Sequence, residues 1–160
     1  MIKSCFTFIS IFFYVSIFAQ GESNIWYFGI NAGLNFNSNP PTPLLDLPTG
    51  TFSSEGCSTI SDANGNLLFY TNGEKVWNRV FQIMSNGDNL AGHNSSTQSS
   101  AIIPYPGTYN FTENRFNKYF LVTLDDYGVQ APNAEDKGVC YSEIDMTLDN
   151  GFGSIKKKKN

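Results

Sequence analysis

Glu55–Asn78, EGCSTISDANGNLLFYTNGEKVWN, is the stretch whose reading decides the fold. Cys57–Ser61 is rich in small and β-branched residues, and Asn66–Thr71 is an apolar, aromatic run of strand length. Glu74–Asn78 then alternates polar and apolar side chains. Between these segments stand Asn64-Gly65 and Asn72-Gly73. Asn and Gly tolerate the positive φ that two-residue hairpin loops require, so the stretch predicts three short antiparallel strands joined by two tight turns.

Upstream, Asn24–Gly29 reads as an aromatic strand, and Ala32–Asn37 alternates Leu and Phe with Asn as a half-buried strand does. Asn37–Gly50 carries four prolines and is expected to be a surface loop. Downstream, Arg79–Ser96 reads as a loop or short hairpin, Gln98–Pro104 as a strand, and Asn117–Leu124 as the most strongly β-forming segment. In Gly138–Met146, Val139 and Tyr141 alternate but Ile144 is shifted by one phase, which predicts a bulge. Asn150–Gly153 is a turn, and Ile155 opens a last apolar position before Lys156–Lys159. No helical periodicity appears after Gln20. The expected class is all-β: a sandwich, barrel or propeller of short antiparallel strands.

Composition narrows the partners. The 160 residues are 15% aromatic and only 15% charged, against roughly 25% charged in ordinary soluble domains. A formal net charge of −4 excludes a nucleic-acid partner that needs a basic face. Residues 1–19 read as a signal peptide: Lys3 is the positive start, Cys5–Phe18 is an apolar run too short to span a bilayer, and Ala19 is the small residue before cleavage. With the signal removed, the chain has no stable membrane span and is expected to be secreted or held at the cell surface. Cys57 and Cys140 then remain as an even pair in an oxidising compartment. They either bridge, closing a long loop, or sit apart as two small apolar side chains.

A weak internal echo favours the propeller over the sandwich. Residues 67–78 and 119–129 both place an aromatic-aliphatic strand before a Gly-containing turn. At roughly 40–50 residues per blade, residues 20–160 would fill about three blades, and closed rings need at least four. On this reading the domain is an incomplete propeller-like array, with strand edges at Trp26–Phe28 and Ile155 left unpaired.

Four blocks carry a resemblance to a known family: WYFGINAGLNFN at 26–37, the stretch at 55–78, STQSSAIIPYPG at 96–107, and YSEIDMTLDNGFGSI at 141–155. Together they resemble the N-terminal region of large secreted proteins of gliding Bacteroidota. Those proteins have a propeller-like N-terminal part and end in a C-terminal sorting domain for type IX secretion. The resemblance implies a propeller-like fold, export, and a place in a gliding-motility-associated surface protein. It brings no catalytic residues. The family continues into another strand where this sequence stops, which implies a fragment whose partners include the missing C-terminal blades.

Candidate chemistry is sparse. Asp62, Asn64 and Asn66 place side-chain oxygens at alternate positions, as a calcium loop does, but position twelve is Gly73 and Glu74 lies one beyond. A hairpin turn with Asx hydrogen bonds explains the same residues. His93, the single histidine, lies in a polar loop without a nucleophile motif. Asp125-Asp126 and Glu135-Asp136 are the carboxylate pairs a glycosidase would need. Trp26, Tyr27, Tyr70 and Trp77 would serve either as an aromatic platform for a glycan or peptide, or as core. Lys156–Lys159 would meet an acidic partner or be a basic, frayed end. No motif calls for a cofactor. The function expected is a non-enzymatic module binding protein or glycan, with a propeller-type hydrolase as the alternative.

Overall fold

The structure, a computed structural model, describes residues 21–45, 53–125 and 138–159. After a 3-10 turn at Gly21–Ser23, strands β1 (Ile25–Phe28), β2 (Ala32–Asn35) and β3 (Thr42–Leu44) form a first sheet in the order β1-β2-β3. Strands β4 (Ser58–Ser61), β5 (Leu67–Thr71) and β6 (Val76–Asn78) form a second sheet, again in chain order. Next comes β7 (Ser100–Pro104), followed by a small hairpin of β8 (Tyr109–Asn110) and β9 (Arg115–Phe116). Strands β10 (Lys118–Leu124), β11 (Val139–Asp145) and β12 (Ser154–Lys159) complete a four-stranded sheet ordered β12-β11-β10-β7. Every pairing within the sheets is antiparallel. The fold is all-β, an array of short antiparallel strands, and none of the described sheets closes into a barrel.

The sheets stack in chain order with the second in the middle. Tyr70 and Trp77, cross-strand partners, point from one face of it to meet Ile25 and Tyr27 of β1. From its other face Phe69 and Val76 meet Tyr119, Leu121, Ile144 and Ile155 of the large sheet, with Met84, Leu90 and Met146 filling in. A sheet covered on both faces needs apolar residues at successive positions, not alternate ones. The register shift opposite Ile60 supplies this, because Leu68 and Phe69 both enter the second core while Leu67 and Tyr70 belong to the first. Hence LLFY is a continuous apolar run.

The first strands of the three sheets converge. The Tyr27 N–H donates to Thr59 Oγ1 at 3.2 Å, and Cys57 Sγ–H donates to the Tyr27 carbonyl at 3.0 Å. Side chains from the segment of β4 thereby cap the backbone edge of β1 that β2 leaves open. Ser58 Oγ donates to the Ser100 carbonyl at 2.8 Å, and Ser100 Oγ donates to Ser58 Oγ at 3.0 Å, tying β4 to β7. Small residues are required here. A Cβ on Gly56 would lie 2.3 Å from the Ser99 nitrogen, so no larger residue fits without moving backbone.

Several expectations need correcting. The turns are not two-residue loops: β4 and β5 are joined by Asp62–Asn66 and β5 and β6 by Asn72–Lys75. Only Gly65 (φ 82°) and Gly73 (φ 92°) among these turn residues have positive φ, as in longer loops built on a type I turn. The proline-rich segment is not all loop, because Thr42–Leu44 pairs with β2 as an edge strand. Pro43 is tolerated there because an edge strand needs no N–H on its outer side. Ile155 is not at an unpaired edge: it pairs with Ile144 in β11 and its N–H donates to the Ser85 carbonyl at 3.0 Å. β1 is the edge strand of its sheet, as expected, and at Tyr27 that edge is capped by the side chains of Thr59 and Cys57. The bulge near Ile144 is present, as a register shift between Glu143 and Ile144.

Candidate functional site

The aromatic candidates divide by strand parity. Ile25 and Tyr27 face inward on β1, whereas Trp26 and Phe28 face outward at 51% and 42% exposure. Tyr70 and Trp77 stack at 5.2 Å with rings 9° apart, and Tyr27 tilts against Tyr70 at 5.1 Å. The gap these rings leave beside Phe28, Ser53 and Cys57 is about 10 Å³. That is at the lower limit for one water and far below any ligand. Tyr27, Tyr70 and Trp77 are core. Trp26 alone of the four is a surface ring; it packs on Phe36 at 4.8 Å, and its Nε1–H is held by the Ser23 carbonyl at 2.8 Å.

An open groove runs beside this pair, along the capped edge of β1, lined by Ser23, Trp26, Tyr27, Phe28, Cys57 and Thr59. It combines an indole face, a phenyl ring, a hydroxyl and a thiol. Such a surface can stack on a sugar ring or clasp an apolar peptide side chain. Phe28 and Phe36 were not singled out in the sequence. The signal that could have found Phe28 is the alternation within WYF, which puts it on the same face as Trp26.

Asp62, Asn64 and Asn66 do come together, but around each other. Asp62 Oδ1 accepts from the N–H groups of Asn64 and Asn66, each at 2.9 Å, and Oδ2 accepts from Asn66 Nδ2 at 2.9 Å. The carboxylate is the hub of the turn. The turn in turn anchors its surroundings, since the Ala63 carbonyl accepts from the Gly21 N–H and the Gly65 carbonyl accepts from Asn37 Nδ2. Among the described residues, no group of three or more His, Cys, Asp or Glu side chains is placed to hold a metal ion.

His93 sits in a polar network between the second and third sheets. Its Nδ1 accepts from the Ser95 N–H at 3.2 Å, and its own N–H donates to the Leu124 carbonyl. Glu74 is engaged by Asn94, whose N–H and Nδ2 reach its two carboxylate oxygens at 3.2 and 3.4 Å. Glu55 accepts from Thr97 Oγ1 at 3.0 Å. These acids shape loops. Asp125 donates its N–H to the Gly138 carbonyl, while Asp126, Glu135 and Asp136 lie outside the described residues, as does the signal segment.

Cys57 and Cys140 are not joined in a disulfide. Cys57 belongs to the converging first strands, where burial pushes its thiol pKa up despite the hydrogen bond from Ser53. Cys140 is buried on β11 opposite Thr123 of β10. The two are therefore small apolar fillers on different elements, and the bridge is replaced by that reading. Lys156 pairs with buried Asp145 at 3.2 Å. Burial opposes the charge on Asp145, but the Thr147 hydroxyl and N–H together with Lys156 outweigh it and hold the carboxyl below its ordinary range.

One ionisable cluster had no sequence signal. Arg115 is buried, pairs with Glu113, and donates from both terminal nitrogens to the Met146 carbonyl at 3.2 and 3.3 Å. Burial pushes the pKa of Tyr119 up to about 12, with the Phe116 backbone and the charge of Arg115 opposing and Glu22 and Asp62 adding. No protein-family model, curated protein or solved structure matches this chain.

Proposed function

We propose that this chain is a non-enzymatic β-propeller module of a secreted or cell-surface protein, acting by binding protein or glycan. One observation carries the reading: three consecutive antiparallel meanders stack face to face, with the first strand of each tied to the first strand of the next. Blades around an axis have that arrangement, and parallel layers of a sandwich do not require it. Export rests on the signal read at residues 1–19, from Lys3, the apolar run Cys5–Phe18 and Ala19, whereas type IX sorting rests on the sequence resemblance. Binding is assigned to the groove beside Trp26, because exposed aromatic rings on a rigid strand give contact area at little entropic cost.

The test is a glycan and peptide array probed with the purified chain beside its Trp26→Ala variant. Trp26 is half exposed, so the variant should keep the wild-type melting temperature while losing retention by about tenfold or more. Turnover of a glycoside or peptide, abolished by one carboxylate substitution, would overturn the non-enzymatic reading in favour of a hydrolase.

A further inference from the structure

Among the described residues, every side chain lining the groove beside Trp26 is uncharged: Ser23, Trp26, Tyr27, Phe28, Cys57 and Thr59. The groove is open, with a volume of about 320 Å³. Trp26 and Phe28 stand two residues apart on β1 and face the same way, which sets their Cα atoms about 7 Å apart. The indole is fixed before any ligand arrives, because its Nε1–H is donated to the Ser23 carbonyl and Phe36 packs against it at 4.8 Å. What it offers is therefore a ring face and not a hydrogen bond. Beside it, Ser23 and Thr59 supply hydroxyls. Thr59 Oγ1 accepts from the Tyr27 N–H, so its own proton is left to donate.

We infer that this groove takes an uncharged oligosaccharide of at least two rings, stacked by its C–H faces on Trp26 and Phe28. The inference rests on reading the groove as the binding site and chooses its occupant. Charge is the first criterion. A uronate or sulfated sugar would find no cation among the lining residues, on a chain whose formal net charge is −4. The backbone is the second. A peptide strand adding to β1 would need free N–H and C=O groups at alternate residues. Tyr27 spends both of its groups on Thr59 and Cys57, and Gly29 spends its carbonyl on the Ser53 N–H at 3.1 Å. Enclosure is the third. An apolar peptide anchor binds tightly in a pocket that desolvates it on all sides, and the enclosed space beside these rings is about 10 Å³. A sugar ring needs less: one C–H face is buried on an aromatic ring while its hydroxyls stay in water or meet those of Ser23 and Thr59. One sugar ring is too small to cover both aromatic faces at a spacing of about 7 Å, so the ligand is a chain.

The measurement is isothermal titration calorimetry on the purified chain and on its Trp26→Ala, Trp26→Phe and Phe28→Ala variants, with circular dichroism to check each fold. The probes are mono- and oligosaccharides of cellulose, mannan and xylan, a uronate and a sulfated oligosaccharide, and a set of apolar peptides. At least one neutral oligosaccharide should bind, insensitive to salt, with its monosaccharide and the anionic sugars weaker by about tenfold or more. Trp26→Ala and Phe28→Ala should each weaken that oligosaccharide by about tenfold or more. Trp26→Phe keeps a stacking face and should lose only a few-fold, which separates lost stacking from lost folding. An apolar peptide or an anionic sugar held through Trp26, in place of neutral sugars, would overturn the inference and leave the groove as a binding site. Phe28→Ala with wild-type affinity would overturn it too, since one ring would then suffice. If no probe is held through Trp26, the binding reading itself fails and takes the inference with it.

Discussion

Replacing Asp62 separates a turn held by its own carboxylate from a cation site. The carboxylate accepts three hydrogen bonds from within the turn, and the residue is 8% exposed. A bond to a charged acceptor contributes about 1.5–3 kcal/mol at most, and these three share one partly solvated group. Asp62→Ala should therefore cost about 2–3 kcal/mol, or about 5–10 °C in melting temperature for a chain of this size. Asp62→Asn keeps one carbonyl oxygen for the two backbone N–H groups and loses the contact to Asn66 Nδ2, so about 1 kcal/mol should go. Thermal melts followed by circular dichroism, in chelator and in millimolar calcium, supply the assay. Calcium should leave all three melting temperatures unchanged. A calcium-dependent rise in the wild type that vanishes in Asp62→Asn would refute the reasoning, because the oxygens would then be serving a cation and not the turn's amides.

Two further outcomes follow from buried groups. The purified chain lacking residues 1–19 should titrate two thiols in denaturant without reductant, from Cys57 and Cys140; none would mean a bridge. Tyr119 is held neutral in the fold, its pKa about 12 against an ordinary 10, so its contribution is fully present below pH 10 and is lost as pH rises towards 12. Melts from pH 9 to 12 should show a stability loss that Tyr119→Phe removes, and an identical decline in both proteins would count against it.

The strands of Glu55–Asn78 were legible because turn residues and strand residues differ in kind. Asn-Gly marks a reversal whether the loop has two residues or five, so the strands were found and the loop type was not. The phase slip at Ile144 was readable from Val139 and Tyr141, since a bulge shifts burial parity along one strand. The hairpin Tyr109–Asn110/Arg115–Phe116 was invisible, as two-residue strands carry no periodicity. The role of each aromatic residue also lay beyond a single strand. Trp26 and Trp77 look alike in sequence, but only sheet stacking decides that one is core and the other surface. Arg115 gave no signal because, apart from neighbouring Glu113, its partner is the Met146 backbone carbonyl, which any residue supplies.

The sharing of one sheet between two cores sets an order of opening. Among the described residues, the first sheet gives Ile25 and Tyr27 as buried side chains to its core, whereas the core between the second and third sheets holds ten buried residues, seven of them on strands of those sheets. Detaching the first sheet exposes a few rings and leaves the larger core whole. Detaching the second empties both cores at once. Amides of β1 and β2 should therefore exchange with solvent hydrogen through a low-energy local opening, while those of β5 and β10 should exchange only when the whole molecule unfolds. The groove beside Trp26 thus lies on the most easily released layer, and a ligand bound there would slow exchange in β1 and β2 well before it altered that of β10.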